Sequence, residues 1–374
     1  MIRTGMELRR LPFSAFALGA LVFVASGAWA CTTFCVRDGN RLVFGQNYDW
    51  YVADGVMLVN KRGVARTAYA LADRGLTWTS RHGSVTFNQY GRDQPTGGMN
   101  EAGLVVALMW VDGTAYPVPD ARPAVGGGTG WIQYQLDNAR SVADVIASDS
   151  HVRIPRSGSP LHYLVADRNG NVAAIEFRHG KLVVHTGATL AVPALANDFY
   201  AESVAEYKRL EDAGQLAPER IGVQSRFARA ASRAVSYRPG ADPVQYVFDT
   251  LHEVAQGKLA HAPAPPAHIT QWSIAYDTGS LQIHFRTRAH PAIKTVALAS
   301  LDFSCVSPVL GIDVQQPVGG DVVPRLRAFT GTRNLALVRT TWSQTGMLKL
   351  TPASELERIA ALPDASVCKV ARKP

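Results

Sequence analysis

The chain has 374 residues, 47% hydrophobic and 18% charged, with 32 Gly and 21 Pro. That balance excludes disordered and collagen-like chains and allows a sizeable core. The formal charge of +8 contains no block of five or six like charges. A nucleic-acid partner is therefore not expected, and Arg226, Arg229 and Arg233 read as a solvated face of a helix.

Residues 1–30 read as a secretory signal. Arg3, Arg9 and Arg10 precede an apolar run from Ala15 to Ala25, and Ala28-Trp29-Ala30 supplies the small residues that signal peptidase needs. Eleven apolar residues are too few to cross the bilayer core, which takes about 20, so no stable membrane span is expected. Cleavage would leave 344 residues with a charge of +6, beginning at Cys31, in the periplasm or outside the cell.

Beyond that point, residues 31–37 and 41–50 read as a hairpin around Asp38-Gly39-Asn40. Residues 76–90 read as a second hairpin around His82-Gly83, and 161–166, 172–177 and 182–185 as a meander punctuated by Asn169-Gly170 and His179-Gly180. Gly126-Gly127-Gly128-Thr129-Gly130 reads as a flexible loop, because no Lys follows it as in a phosphate cradle.

Three helices are predicted: one from Trp131 to Ala147, broken at Ser141; one beginning at Ser225; and one after Asp242-Pro243, with Val244, Val247, Phe248, Leu251 and Val254 at helical spacing. The run from His261 to His268 reads as a stiff Pro-rich loop, followed by strands over 272–276, 281–287 and 293–298. Thr351-Pro352 starts a short terminal helix. Strands interrupted by helices indicate an α+β protein, read here as one domain over 31–374.

The scattered histidines form no His-Glu-x-x-His, the chain has no Gly-x-Ser-x-Gly elbow, and Cys31, Cys35, Cys305 and Cys368 form no Cys-x-x-Cys pair. Neither a metal nor a cofactor is expected. In an oxidising compartment Cys305 and Cys368 could pair, although sequence does not show that their Cα atoms come within range.

Cys31 is the better candidate for chemistry. As the first residue it would carry a thiol and a free α-amine, with ordinary pKa values of about 8.5 and about 7.7–8.0. The amine could take the thiol proton and later give it to a departing amine, so no histidine would be required. Cys31 could instead form a disulfide with Cys35 or be lipidated; bulky Trp29 weighs against lipidation.

Cys31-Thr32-Thr33 and Phe44-Gly45-Gln46-Asn47-Tyr48-Asp49-Trp50, followed by Gly98-Met99-Asn100-Glu101-Ala102-Gly103-Leu104, resemble blocks of the choloylglycine hydrolases. This family of N-terminal-nucleophile amidases includes bile salt hydrolases and penicillin V acylases. Leu161-His162-Tyr163, Leu195-Ala196-Asn197, Ser225-Arg226-Phe227 and Thr270-Gln271-Trp272 continue the likeness in order, to about residue 303. The later residues have no counterpart that could be placed.

The resemblance implies a four-layer αββα sandwich of two antiparallel sheets, hydrolysis of a small N-acyl amide, and a possible homo-oligomer. It also implies roles. Cys31 would be the nucleophile, Asp49 would hold the α-amine, Arg226 would favour the thiolate, and the Asn197 amide with the Trp110 N–H would receive the oxyanion.

Gln46 stands where the family usually has Arg. The neutral amide should either raise the Cys31 pKa or change recognition of the substrate's polar end. Trp50, Tyr51, Trp110 and Trp131 are candidates to line an acyl pocket. The substrate could be a penicillin side chain, an acyl-homoserine lactone, another N-acyl amino acid or a conjugated bile acid. The rival reading is an exported binding protein that keeps the scaffold without amidase activity.

Overall fold

The structure, a computed structural model, describes residues 31–68, 75–156, 158–216, 225–256 and 269–369. Residues 1–30, read from the sequence as a secretory signal, and the Pro-rich run 261–268 lie outside the described residues.

The first hairpin forms as expected: strand Thr32–Asp38 pairs antiparallel with Arg41–Trp50, from Thr32 opposite Asn47 to Asp38 opposite Arg41. Ile269–Asp277 adds to the other edge of Arg41–Trp50, with a register shift between Thr270 and Trp272. Ala194–Leu195, Gln282–Thr287, Lys294–Ala297 and Gly320–Asp321 complete a seven-stranded sheet.

The predicted meander is Leu161–Ala166, Val172–Arg178 and Lys181–Thr186, at one end of a nine-stranded sheet. That sheet continues through Val105–Trp110, Pro95–Asn100, Ser84–Asn88, Val56–Asn60, Leu310–Asp313 and Arg327–Ala328.

The two sheets face each other. Phe87 of one meets Tyr276 and Phe285 of the other edge-on at 6.2 and 5.1 Å, and the Thr33 hydroxyl reaches the Met109 sulfur at 3.3 Å. Helices Arg226–Ser236 and Pro243–Glu253 cover the seven-stranded sheet, and helix Gly128–Asn138 covers the nine-stranded one. This is the expected α+β sandwich, helix, sheet, sheet, helix. Both faces of Arg41–Trp50 are covered, so its residues 42–49 are all buried, polar ones included. Gly45 permits the close approach of the helix, because a Cβ there would lie 2.8 Å from Val247 Cγ1.

Helix starts follow the sequence. Asp242 accepts hydrogen bonds from the Val244 and Gln245 amides with Pro243 in the first turn, and Ser141 forms a capping box with Asp144 that divides Gly128–Asn138 from Val142–Ala147. The terminal helix Ala353–Ala361 follows Pro352.

Three expectations are corrected. Residues 76–90 are not a hairpin: Thr77–Thr79 pairs with Val64–Thr67 in a small sheet, while Ser84–Asn88 lies inside the nine-stranded one. The five buried residues of Ser84–Asn88 need a neighbour on each edge, and Val56–Asn60 and Pro95–Asn100 provide them. The glycine run is only partly a loop. Gly126 and Gly127 take φ of 80° and 98°, but helix begins at Gly128, and a Cβ at Gly130 would sit 2.3 Å from the Val125 carbonyl. Nor are the helix arginines a solvated face: Arg233 lies 4.3 Å over the Tyr246 ring and 3.5 Å from Glu253.

Residues beyond the resemblance pack onto the sandwich. Leu310–Asp313 extends the nine-stranded sheet along Val56–Asn60, and helix Gly331–Ser343 packs on Ala353–Ala361. Val367–Cys368 pairs with Val64 and Ala65, and Cys305 and Cys368 form a disulfide.

Candidate active site

Cys31 directly precedes the first strand and is 4% exposed. It lies in the wall of a cavity of about 430 Å³ lined mainly by aromatic and aliphatic side chains, among them Trp50, Tyr51, Tyr90, Leu108, Trp110 and Leu161. That size falls within the roughly 300–1,000 Å³ of small-molecule sites. Cys31 and Asp49 are among its polar lining residues.

Alternation along Arg41–Trp50 separates the polar residues. Asn47 points to the helix layer, where its amide donates to the Leu251 carbonyl at 2.7 Å, and Asp49 shares its parity. The Cys31 thiol donates to the Asp49 main-chain carbonyl at 3.8 Å, and the Thr270 hydroxyl donates to Asp49 Oδ1. Asp49 Oδ2 is buried with no hydrogen-bond partner among the described residues.

Burial raises the Asp49 carboxyl to about 7, opposed by the Arg226 charge and the Thr270 hydrogen bond. Burial, reinforced by Asp49, pushes the Cys31 thiol up to about 12, opposed by its hydrogen bond to Asp49 and by Arg226. The Arg226 guanidinium thus acts on the thiol in the expected direction, but desolvation outweighs it.

Asn197 follows Ala194–Leu195 in the loop before helix Tyr200–Asp212. Its amide donates to the Trp110 carbonyl at 2.7 Å, and Arg226 Nη2 donates to its Oδ1 at 3.1 Å. An Asn amide carries two N–H groups, so one is left to point elsewhere. Asn197 and Arg226 also line a polar recess of about 300 Å³ with Asp198, Glu202 and Glu206.

Among the predicted residues, Cys31, Asp49 and Trp110 share the large cavity, with Asn197 and Arg226 linked to them by hydrogen bonds and charge. Gln46 does not contact it. It is fully buried between the sheets, donating to the Thr96 carbonyl at 3.3 Å and accepting from the Tyr276 hydroxyl at 3.2 Å, so the expected place at the substrate site is corrected to one behind Thr96, which does line the cavity. Trp131 is also corrected: it packs 4.4 Å from Tyr163 in the core.

Sequence reasoning missed several contributors. Thr270 was noticed only within a block, yet it holds Asp49. His162 bridges Glu176, at 3.1 Å, and the Ala196 carbonyl, at 2.6 Å, and so steadies the loop that carries Asn197. Thr129 of the glycine run and Trp342, Thr345, Gly346 and Leu348 line the cavity with no local motif to mark them.

The profile of the linear amide C–N hydrolases, choloylglycine hydrolase family, matches residues 31–311. The chain belongs to this family. It is 24% identical over 328 residues to the penicillin V acylase of Pectobacterium atrosepticum, covering 78% of this chain and 86% of that one. The structure of penicillin V acylase from Agrobacterium tumefaciens superposes with a TM-score of 0.70 at 25% identity, over 80% of this chain and 98% of that one. A variant of the conjugated bile acid hydrolase from Clostridium perfringens shares the fold, with a TM-score of 0.63 at 15% identity over 77% and 98% of the two chains. This choloylglycine hydrolase family member is thus a linear amide C–N hydrolase with the sandwich of that group. Among its described residues no helix is long and apolar enough to cross a membrane.

Proposed function

We propose that the chain is exported, that removal of residues 1–30 makes Cys31 the first residue, and that Cys31 then cleaves an N-acyl amide with an apolar acyl group. The observation that carries this reading is the placement of Cys31 in an apolar cavity beside Asp49, whose buried Oδ2 has no hydrogen-bond partner among the described residues. A freed α-ammonium is a suitable partner for that oxygen. It would lower the carboxyl pKa and, through its positive charge, the thiol pKa as well.

In the reaction the α-amine takes the Sγ proton as sulfur attacks the acyl carbon. The oxyanion forms near Asn197 and the Trp110 main chain, where each donor contributes about 3–4 kcal/mol. The resulting ammonium passes its proton to the leaving nitrogen, the C–N bond breaks and a thioester remains. Water, deprotonated by the same amine, then attacks the thioester, and the thiol leaves with the carboxylic acid as product. The aromatic lining suits an aryl or medium straight-chain acyl group, and the likeness to penicillin V acylases makes phenoxyacetyl amides the first substrates to try.

The test combines intact mass with turnover. Exported protein should begin at Cys31, be alkylated there by a low dose of iodoacetamide with loss of turnover on an acyl-amide panel, and be inactive as Cys31→Ser. Recovery of chain still starting at Met1, a diacylglyceryl adduct, or full activity after substitution would reject the proposal.

A further inference from the structure

The family profile ends at residue 311, yet residues beyond it help to build the cavity. Trp342 at the end of helix Gly331–Ser343, and Thr345, Gly346 and Leu348 in and before the turn Gly346–Leu350, form part of its wall. The segment is held at both ends: Leu310–Asp313 is a strand of the nine-stranded sheet, and Val367–Cys368 pairs with Val64 and Ala65 beside the Cys305–Cys368 disulfide.

Its middle is held against the cavity by a chain of hydrogen bonds with consistent direction. Trp50 Nε1 donates to the Tyr90 hydroxyl at 2.6 Å, which lies 3.0 Å from the Thr345 hydroxyl, which in turn donates to the Thr341 carbonyl at 2.7 Å. Trp342 Nε1 donates to the Tyr90 carbonyl at 3.3 Å. Trp50 adjoins Asp49 on its strand and neighbours Trp110, with ring centroids 6.4 Å apart. Placement of the extension is therefore tied to the aromatic residues beside Cys31.

We infer that residues 312–369 determine acyl specificity, with Trp342 and Leu348 limiting the size of the acyl group that the cavity accepts. The inference rests on the acyl-amide reading above. The large apolar side chains occupy space that a longer acyl chain would need, while Thr345 holds the turn that presents Leu348.

The test uses exported full-length protein and its Trp342→Ala, Leu348→Ala and Leu348→Trp variants, comparing kcat/KM for decanoyl and hexanoyl p-nitroanilides. A change of one methylene's fit in an apolar pocket alters discrimination by roughly 10–200-fold. The decanoyl-to-hexanoyl ratio should accordingly rise about tenfold or more in the two Ala variants and fall about tenfold in Leu348→Trp. A folding defect would lower both rates together. Active variants with an unchanged ratio would overturn the inference and leave the amidase reading standing.

If the unsubstituted protein hydrolyses no amide, the amidase reading fails, and calorimetric titration with hexanoate and decanoate tests the wall by itself. A relative affinity for decanoate that rises in the Ala variants and falls in Leu348→Trp supports it. An unaltered relative affinity, or no binding of either acid, overturns it.

Discussion

Asp49→Asn should make the unprocessed chain more stable above neutral pH while removing activity from the processed one. Burial raises the folded carboxyl from an ordinary 3.8 to about 7, so between those values the folded state holds a proton that the unfolded state has released. The stabilisation from this proton is complete below 3.8 and lost as pH rises through about 7. Each tenfold change in proton affinity corresponds to about 1.4 kcal/mol, which places an upper bound of about 4 kcal/mol on the loss. Asn occupies the same volume, still accepts from Thr270 and has no charge to desolvate. In a form retaining residue 30, urea unfolding of Asp49→Asn should show a gain of about 2–4 kcal/mol at pH 8 that shrinks towards zero at pH 4. In a form beginning at Cys31 the proposed α-ammonium would compensate the wild-type carboxylate, so the gain should vanish or reverse, and kcat/KM should fall about 10²–10⁴-fold. An equal stability difference at both pH values, or the same gain in both forms, would refute the account of Asp49 as a buried anion awaiting that partner.

Three other outcomes are expected. Asn197→Ala should lower kcat by about 10²–10³-fold with a much smaller change in KM, as steady-state rates on a phenoxyacetyl amide will show; a matched change in KM alone would assign Asn197 to ground-state binding. Replacing Cys305 and Cys368 together by Ser should cost about 4 kcal/mol, as expected for a crosslink with a sequence separation of 63 residues, read as a lower urea midpoint that reductant no longer shifts. Gln46→Leu should cost about 1–3 kcal/mol by depriving the Thr96 carbonyl and the Tyr276 hydroxyl of their partner, and Gln46→Arg should cost at least as much, because the slot is fully buried. Denaturant midpoints check both, and a Gln46→Arg variant as stable as the parent would show that the slot can accommodate a cation.

Local signals were read where short-range physics decides. The first hairpin follows from two β-rich runs around a turn, the break at Ser141 from a capping box, and the helix start at Pro243 from an Asp cap. Residues 76–90 show where this reasoning stops. Their alternation is real, but whether Ser84–Asn88 pairs with its neighbour in sequence or with Val56–Asn60 and Pro95–Asn100 depends on which sheet needs a buried strand. Trp131 and Trp342 are equivalent as isolated letters. One is core and the other lines the cavity because their helices pack on different parts of the molecule.

The sequence by itself determined that several dispersed blocks resemble those of the choloylglycine hydrolases and that sheet would predominate with helices inserted, and it raised the expectation that Cys31 becomes a terminal residue with thiol and amine together. These are properties of adjacent residues and of their order. Only the tertiary structure decided that Asp49 lies buried with one oxygen unpartnered among the described residues, that Gln46 bridges the sheets instead of facing the cavity, and that a segment about 300 residues away from Cys31 helps to line it. Desolvation, hydrogen-bond partnership and the shape of a cavity depend on atoms from every layer at once, and no stretch of chain contains them.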